Sequence, residues 1–162
     1  MSLGQGGRRT AVLAAALATA AASCAGGSGP VTVTGAPAPV GAAATSCRAL
    51  LDALPASLGA GLDRRPVRPA GVSAAAYGSA PVLVTCGAEG VAAGYRPDSV
   101  VSEHDGVQWF PEEAAGTSRW STPTRRPQVT LTFPDDVLPY NVIAAVNPAV
   151  RTHTAEESAG AP

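Results

Sequence analysis

The sequence contains no lysine, so all 11 of its basic residues are arginine. Charged residues make up only 14% of the chain and aromatic residues 4%, whereas about 25% of the residues of an ordinary globular chain are charged. The formal net charge of −1 excludes the strongly basic surface of a generic nucleic-acid-binding protein. With 162 residues, the chain has room for one domain once its low-complexity ends are set aside.

The first two dozen residues have the parts of a bacterial secretory signal. Arg8 and Arg9 form a basic start, and Thr10–Ala22 then consists only of Ala, Val, Leu and Thr. This run is shorter than the roughly 20 residues of a membrane-spanning helix, and it lacks the polar face of a helix buried in a cytosolic domain. It therefore predicts export. The residues Ala21-Ala22-Ser23-Cys24 resemble the site at which lipoprotein signals are cut.

Cleavage at that site predicts a signal peptide of lipoprotein type over residues 1–23 and a lipid anchor on Cys24. The protein would then lie on the outer face of the cytoplasmic membrane, and the membrane would be its partner through the anchor. The alternative is ordinary signal cleavage after Ala22 or Ala25, which would give a freely secreted protein.

The two remaining cysteines lie in segments whose apolar patterns predict that both side chains face the core. From Cys47, leucines follow at i+3, i+4 and i+7, which predicts one apolar stripe of a helix over Ser46–Leu54. Ser46 can cap the first turn of this helix. The run Pro81–Cys86 is rich in β-branched residues and predicts a strand whose inward face ends with Cys86.

If that helix packs on that strand, Cys47 and Cys86 meet, and an oxidising compartment lets them form a disulfide. The enclosed loop of about 40 residues would stabilise the domain by about 4 kcal/mol on the chain-entropy model. Two unpaired buried cysteines are the alternative. Neither a metal nor a cofactor is predicted, because the sequence contains no Cys-x-x-Cys and no His-x-x-x-His.

Other segments favour strands. Gln128–Phe133 alternates apolar and polar residues, which predicts a strand with one buried and one wet face. Asp105-Gly106 predicts a turn that leads into a strand over Val107–Phe110, with Ser118–Thr122 as the partner strand. The fold class that we expect is α+β, a small and mainly antiparallel β-sheet packed with a short N-terminal and a short C-terminal helix and closed by one disulfide.

The C-terminal helix is predicted over Leu138–Val146, with Pro148 just past its end. Residues 24–45 are uncharged and rich in Ala, Gly and Pro, which predicts a flexible linker behind the anchor. The single α+β domain is then expected over residues 46–150, and residues 151–162 are expected to form a disordered tail.

Five stretches of the chain occur in the order known from one family. They are Cys47–Pro55, Arg64-Arg65, Ala76–Gly78 with Pro81–Gly87, Asp105–Phe110, and Trp120–Arg125 with Val129–Pro134. Together they span nearly all of residues 47–150, and they resemble the actinobacterial family named domain of unknown function 3515. The chain departs from it at Tyr77, where members tend to have Trp, and at His104-Asp105, where they tend to have Val-Asn. The resemblance implies an exported, often lipid-anchored protein to which no activity is assigned.

Arginines are the candidates for a binding surface. They lie in two groups, Arg64, Arg65 and Arg68, and then Arg119, Arg125 and Arg126. If their strands are neighbours, these side chains form a patch for anions or for a protein partner, because guanidinium groups suit the carboxylates and phosphates of wall polymers and lipids. The alternative is that they form ion pairs at the ends of strands.

Catalytic chemistry has little support in the sequence. His104 has Glu103 and Asp105 beside it, but neighbouring side chains on a strand point to opposite faces. No Gly-x-Ser-x-Gly turn supplies a nucleophile. Trp109 and Trp120 would suit the stacking of a sugar, with packing in the core as the alternative. We therefore predict no catalytic residue.

The predicted function is a non-catalytic, lipid-anchored accessory or binding module of the cell envelope. Its partner would be a cell-wall component or an envelope protein, and no nucleic acid. The alternative is a subunit or an enzyme of cell-wall hydrolysis or transfer, which needs His104 within hydrogen-bonding distance of a serine or a carboxylate. A third possibility is an inert spacer, which would have no contiguous surface patch.

Overall fold

The computed structural model of the protein describes residues 1, 29–87, 93–114 and 116–157. Within these ranges lie two helices, Gly41–Ala53 (α1) and Pro139–His153 (α2). The strands of the same ranges are Val31–Thr32 (β1), Arg64–Arg65 (β2), Val67–Arg68 (β3), Ala74–Tyr77 (β4), Val82–Cys86 (β5), Ser102–His104 (β6), Val107–Ala114 (β7), Thr117–Ser121 (β8), Arg125–Arg126 (β9), Val129–Pro134 (β10) and Ala155–Glu156 (β11).

Seven strands form one antiparallel sheet in the order β2-β4-β5-β10-β8-β7-β6. The central strand is β10, in which Leu131 lies opposite Val84 of β5 on one side and opposite Trp120 of β8 on the other. Two small ladders complete the structure, with β1 parallel to β3 and β11 antiparallel to β9. This arrangement confirms the predicted α+β class.

Both helices pack on one face of the sheet and bury a single core. The largest side chains in this core are Trp109, Tyr77 and Phe133, which are at most 1% exposed. The alternation predicted for β10 is confirmed on this face, where Val129 and Leu131 are also fully buried. Neither helix of the described residues combines the length and the apolar character that a membrane span requires.

The N-terminal helix is longer than predicted. It begins at Gly41 rather than at Ser46, and it has no side-chain cap. Ala42, Ala43 and Ala44 explain the extension, because alanine has the highest intrinsic helix propensity.

A strap over residues 29–40 precedes this helix and lies on the domain. In the strap, Val31 and Thr32 pair with Val67 and Arg68, and Val33 is buried. The folded part of the chain therefore begins before the predicted boundary at residue 46. Residues 2–23 of the predicted signal peptide and residues 24–28 of the predicted linker lie outside the described residues.

The C-terminal helix also differs from the prediction, because it continues through Pro148 to His153. Proline removes one backbone hydrogen bond from a helix, but Val146, Asn147, Ala149 and Val150 around it are buried, and their packing keeps the helix on the core. Strand β11 follows and pairs with β9. Residues 151–157 of the predicted disordered tail are therefore ordered, in the end of α2 and in the segment of β11, and residues 158–162 lie outside the described part of the chain.

The predicted hairpin turn at Asp105-Gly106 is confirmed. Both residues have positive φ angles, 47° and 78°, as a two-residue turn of type I′ requires. The turn sets His104 of β6 opposite Val107 of β7, and β7 then pairs with β8 as predicted.

Candidate functional site

The disulfide joins the first helix to the sheet. Cys47 of α1 is bonded to Cys86 at the end of β5, and their Cα atoms are 5.4 Å apart. Both residues are at most 1% exposed. The predicted pairing is confirmed, and it closes a loop with a sequence separation of 39.

Arg64 of β2 binds the end of α1. Its guanidinium donates hydrogen bonds to the backbone oxygens of Leu51 at 2.7 Å and Leu54 at 3.3 Å. The last turn of α1 contains no basic residue of its own. The carbonyl end of a helix favours a positive charge. Arg64, on a strand distant in sequence, supplies the positive charge that the last turn of α1 lacks.

Arg65, the next residue, holds the strap. Its guanidinium donates to the backbone oxygen of Gly29 through both Nε and Nη2. It also donates to the oxygens of Gly78 at 2.8 Å and Ser79 at 3.4 Å. All these acceptors are neutral carbonyls, so the bonds fix the side chain in place without neutralising its charge.

Arg125 of β9 binds the end of α2 in the same manner. Its Nε donates to Thr154 Oγ1 at 2.7 Å, and its Nη2 donates to the backbone oxygens of Thr154 at 2.8 Å and Arg151 at 3.5 Å. The residue is only 9% exposed. Arg125 is therefore part of the interior rather than of a binding surface.

The other candidate arginines are exposed and lie apart from one another. Arg126 forms an ion pair with Glu157 of the C-terminal segment. Arg119 lies opposite Glu112 on β7, and Arg68 lies at the end of β3. The structure thus places Arg64, Arg65 and Arg68 on the consecutive short strands β2 and β3, with the guanidinium groups of Arg64 and Arg65 bound to different acceptors, and it places Arg125 and Arg126 in the separate ladder of β9 and β11.

A cleft of about 630 Å³, here called the strap cleft, opens beside α1. Its charged lining residues are Arg48 and Asp52 of α1 and Arg64 of β2. Arg48 and Asp52 are four residues apart and therefore lie on the same helix face. No salt bridge within the described ranges involves either of them. The rest of the lining is Ala36–Pro39, Ala44, Leu51 and Pro69–Ala74.

A second cleft, of about 500 Å³, lies on the other side of the strap. It shares Ala38 and Pro39 with the strap cleft, and its only charged lining residue among those described is Arg126. Pro39 packs closely on Gly87, where an added Cβ would come within 2.8 Å of the proline ring. Two of the predicted arginines, Arg64 and Arg126, therefore line two neighbouring clefts that the strap separates.

His104 lies on the edge strand β6 against the start of α2. Its ring centroid is 5.3 Å from that of Tyr140, and its backbone oxygen accepts a hydrogen bond from Asn147 Nδ2 at 2.6 Å. In the described part of the chain, no hydrogen bond joins its ring to a serine or a carboxylate. Nor do three or more His, Cys, Asp or Glu residues gather there as a metal site would require.

The two tryptophans and Tyr77 belong to the core. Trp109 is fully buried, and its Nε1 donates to Asn147 Oδ1 at 3.1 Å, while Trp120 packs against the core from a partly buried position. The Tyr77 hydroxyl donates to the oxygen of Pro55 at 2.9 Å. Burial raises the pKa of Tyr77 above its usual value, and the charge of Arg64 works against that rise.

Sequence reasoning missed Asn147, which links Trp109 to the backbone of β6, because one asparagine in a helix carries no distinctive spacing. It also missed Arg48 and Asp52 in the strap cleft. Their separation of i and i+4 on a predicted helix was visible, but the cleft exists only because the strap folds back beside them.

The sequence model of a family described as a protein of unknown function (DUF3515) matches residues 9–159 of this chain. No curated protein and no solved structure matches it.

Proposed function

We propose that this chain, which belongs to the DUF3515 family, is a non-catalytic binding module of the cell envelope. It lies on the outer face of the cytoplasmic membrane and is held there by lipid on Cys24. Its partner is a cell-wall component or an envelope protein that presents both charge signs to the strap cleft.

The observation that carries this proposal is the buried disulfide between Cys47 and Cys86. Thiols stay reduced in the cytosol of most cells, so a disulfide in the core is typical of a domain that folds after export. The chain has three cysteines. With two of them paired, Cys24 is the thiol left to carry an acyl anchor behind the apolar run Thr10–Ala22.

The strap cleft supports a binding role because, among the described residues, Arg48 and Asp52 form no salt bridge with each other. Arg48 offers a guanidinium and Asp52 a carboxylate from one face of α1, and both line the same space of about 630 Å³. Arg64 beside them is held by the end of the helix. Wall peptides carry carboxylate and ammonium groups together, which is the chemistry that such a pair binds.

Export and anchoring are tested by the intact mass of the full chain after expression in a bacterium that processes lipoproteins. The membrane-extracted protein should start at Cys24, carry acyl mass, and weigh two hydrogen atoms less than after reduction. The Cys24→Ser variant should lack the acyl mass and leave the membrane fraction. An unmodified start at another residue would overturn the anchor, and free thiols at Cys47 and Cys86 would overturn export.

Binding is tested by titrating the mature protein in detergent with soluble wall peptides in a calorimeter. Loss of one charge-assisted hydrogen bond costs about 1.5–3 kcal/mol, so Arg48→Gln should weaken binding by about 10- to 100-fold. Arg151→Gln, an exposed arginine of α2 outside the cleft, is the matched control and should bind like the native protein. Equal affinities of both variants would show that the strap cleft is not the site.

A further inference from the structure

The strap leaves little chain between the proposed anchor and the folded domain. Gly29 is held by Arg65, and the backbone nitrogens of Val31 and Val33 donate to the oxygens of Pro66 and Arg68, both at 2.8 Å. From Cys24 to Gly29 there are five residue steps, which span at most about 18 Å even when fully extended. An acyl group on Cys24 therefore keeps Gly29 close to the lipid surface.

Gly29 lies at one corner of the sheet. Arg65 joins it to the turn between β4 and β5, since the same guanidinium also donates to Gly78 and Ser79. Strand β2, which carries Arg65, is the edge of the sheet. We define the anchor corner as Gly29, Arg65, Gly78 and Ser79.

The turn at Asp105-Gly106 lies at the diagonally opposite corner. It joins β6 and β7 at the other edge of the sheet, and β4 and β6 are five strand spacings apart, which is about 24 Å. The pairings of β5, β10, β8 and β7 also place Val107 at the end of the strands where Cys86 lies. Ser79 follows β4 at the other end, before Val82.

We propose that the anchor corner is the surface that the domain turns to the membrane, where it contacts the phosphates of lipid headgroups. The proposal rests on the acylation of Cys24 in the proposed function. It adds that the domain has one orientation at the membrane. The short reach of the chain before Gly29 sets this orientation, and the charge of the corner strengthens it.

The charge at the corner has the sign that lipid phosphates need. The stretch Asp63–Arg68 contains three arginines and one acid. Within the described ranges Arg65 binds only neutral carbonyls, and Arg68, three residues further along the chain on β3, is exposed. Asp63 is the acid of this stretch, and it lies next to the corner because its backbone oxygen accepts a hydrogen bond from the nitrogen of Gly78. Its single negative charge reduces the positive excess of the three arginines but does not cancel it.

The test is energy transfer from the acylated full chain to a headgroup-labelled lipid in vesicles of phosphatidylglycerol and phosphatidylcholine. A small fluorophore on a noncanonical residue replaces Ser79 in one protein and Asp105 in the other. Because these sites are separated by about 24 Å or more, the transfer efficiency from position 79 should exceed that from position 105 in the same vesicles. Acylation of each protein is checked by mass.

Equal transfer from both positions in acylated protein overturns the inference and leaves the proposed function intact. Absence of acyl mass overturns the proposed function instead. These two failures are therefore distinguishable in the same samples.

A protein with a longer tether distinguishes two causes of the orientation, the short chain before Gly29 and the contact of the corner with headgroups. A flexible insert of about 20 Gly and Ser residues between Ala25 and Gly26 removes the constraint of length. The contrast between positions 79 and 105 should then persist on vesicles with phosphatidylglycerol and vanish on pure phosphatidylcholine. In this long-tether protein Arg68→Gln should reduce the contrast and Arg151→Gln should leave it unchanged. An equal contrast on vesicles with and without phosphatidylglycerol would overturn the proposed contact with headgroups.

Discussion

Helices α1 and α2 both end against an arginine from a distant strand, and the two ends differ in how far water reaches them. Arg64, which binds the last carbonyls of α1, is exposed. Arg125, which binds the end of α2, is 9% exposed and also holds the Thr154 hydroxyl. The same chemical device is thus used once at the surface and once in the interior.

The helices also differ in what else holds them to the sheet. Helix α1 is fixed covalently through Cys47, whereas α2 relies on packing and on the hydrogen bonds of Asn147 to Trp109 and to the backbone of His104. Arg64 and Arg125 are therefore structural residues first, because their donors are used on helix ends. Charge available to a ligand or a membrane comes from positions such as Arg48 and Arg68, which donate to no helix end in the described part of the chain.

Removal of the disulfide should have the largest effect, because it takes away what distinguishes α1 from α2. The double variant Cys47→Ala/Cys86→Ala frees a loop with a separation of 39 residues and should lower the free energy of unfolding by about 4 kcal/mol. Urea unfolding of the mature protein measures it. A loss well below about 2 kcal/mol would mean that packing alone holds α1 in place.

The second prediction concerns the buried helix end. Arg125→Met keeps the aliphatic stem but leaves the oxygens of Thr154 and Arg151 without their donor in a dry environment, which should cost about 3 kcal/mol. Urea unfolding gives this value directly. Since Arg126 is ion-paired at the surface, Arg126→Met on the same strand is the control and should cost less than about 1 kcal/mol.

Much of the fold could be predicted where the pattern is local. The stripe from Cys47 through Leu54, the run Val82–Cys86 and the inner face of β10 each repeat at the period of their own element, and each was buried as expected. The disulfide followed from two such patterns. The burial of the outer face of β10 could not be predicted in this way. The polar residues of the alternation predict a solvent-exposed face, but Thr130 is only 4% exposed. Thr130 lies opposite Thr85 of β5 and Ser121 of β8, so side chains of both flanking strands lie beside it on the same face.

The strap and the arginines could not be predicted for a different reason. Strands of two residues such as Val31–Thr32 have no period, and their partners Val67 and Arg68 lie far along the chain. Arg64 and Arg125 bind backbone oxygens of distant helices, and a backbone acceptor leaves no mark in the side-chain sequence. The sequence therefore indicated which residues carry charge, but not which of their side chains already form hydrogen bonds to backbone oxygens of the fold.

The third prediction tests the exposed helix end. Arg64→Met removes two hydrogen bonds to the last turn of α1, but water can replace them, so the loss should be about 1 kcal/mol. Measured beside Arg125→Met, it gives the effect of burial on one kind of bond. A loss as large as that of Arg125→Met would contradict the distinction between the two ends.

An effect about as small as that of Arg64→Met is expected from Tyr77, which lies under the end of α1 and donates to Pro55. Tyr77→Phe should cost about 1 kcal/mol at neutral pH, the value of one hydrogen bond. Its pKa is raised from 10.0 by burial, so the stability that the neutral phenol contributes is present below pH 10.0 and is lost as the pH rises through the folded pKa.

The alkaline loss of stability should accordingly disappear in Tyr77→Phe and persist in Tyr140→Phe, a control on α2 whose side chain is 66% exposed. Arg64→Met should extend the loss to higher pH without moving its onset, because the charge of Arg64 lowers the pKa of Tyr77 in the folded state only. Urea unfolding between about pH 8 and pH 11, around the ordinary tyrosine pKa, measures both effects. An unchanged alkaline loss of stability in Tyr77→Phe would show that the ionisation of Tyr77 is not its cause. Arg64 would then stabilise the protein only through its hydrogen bonds to the end of α1.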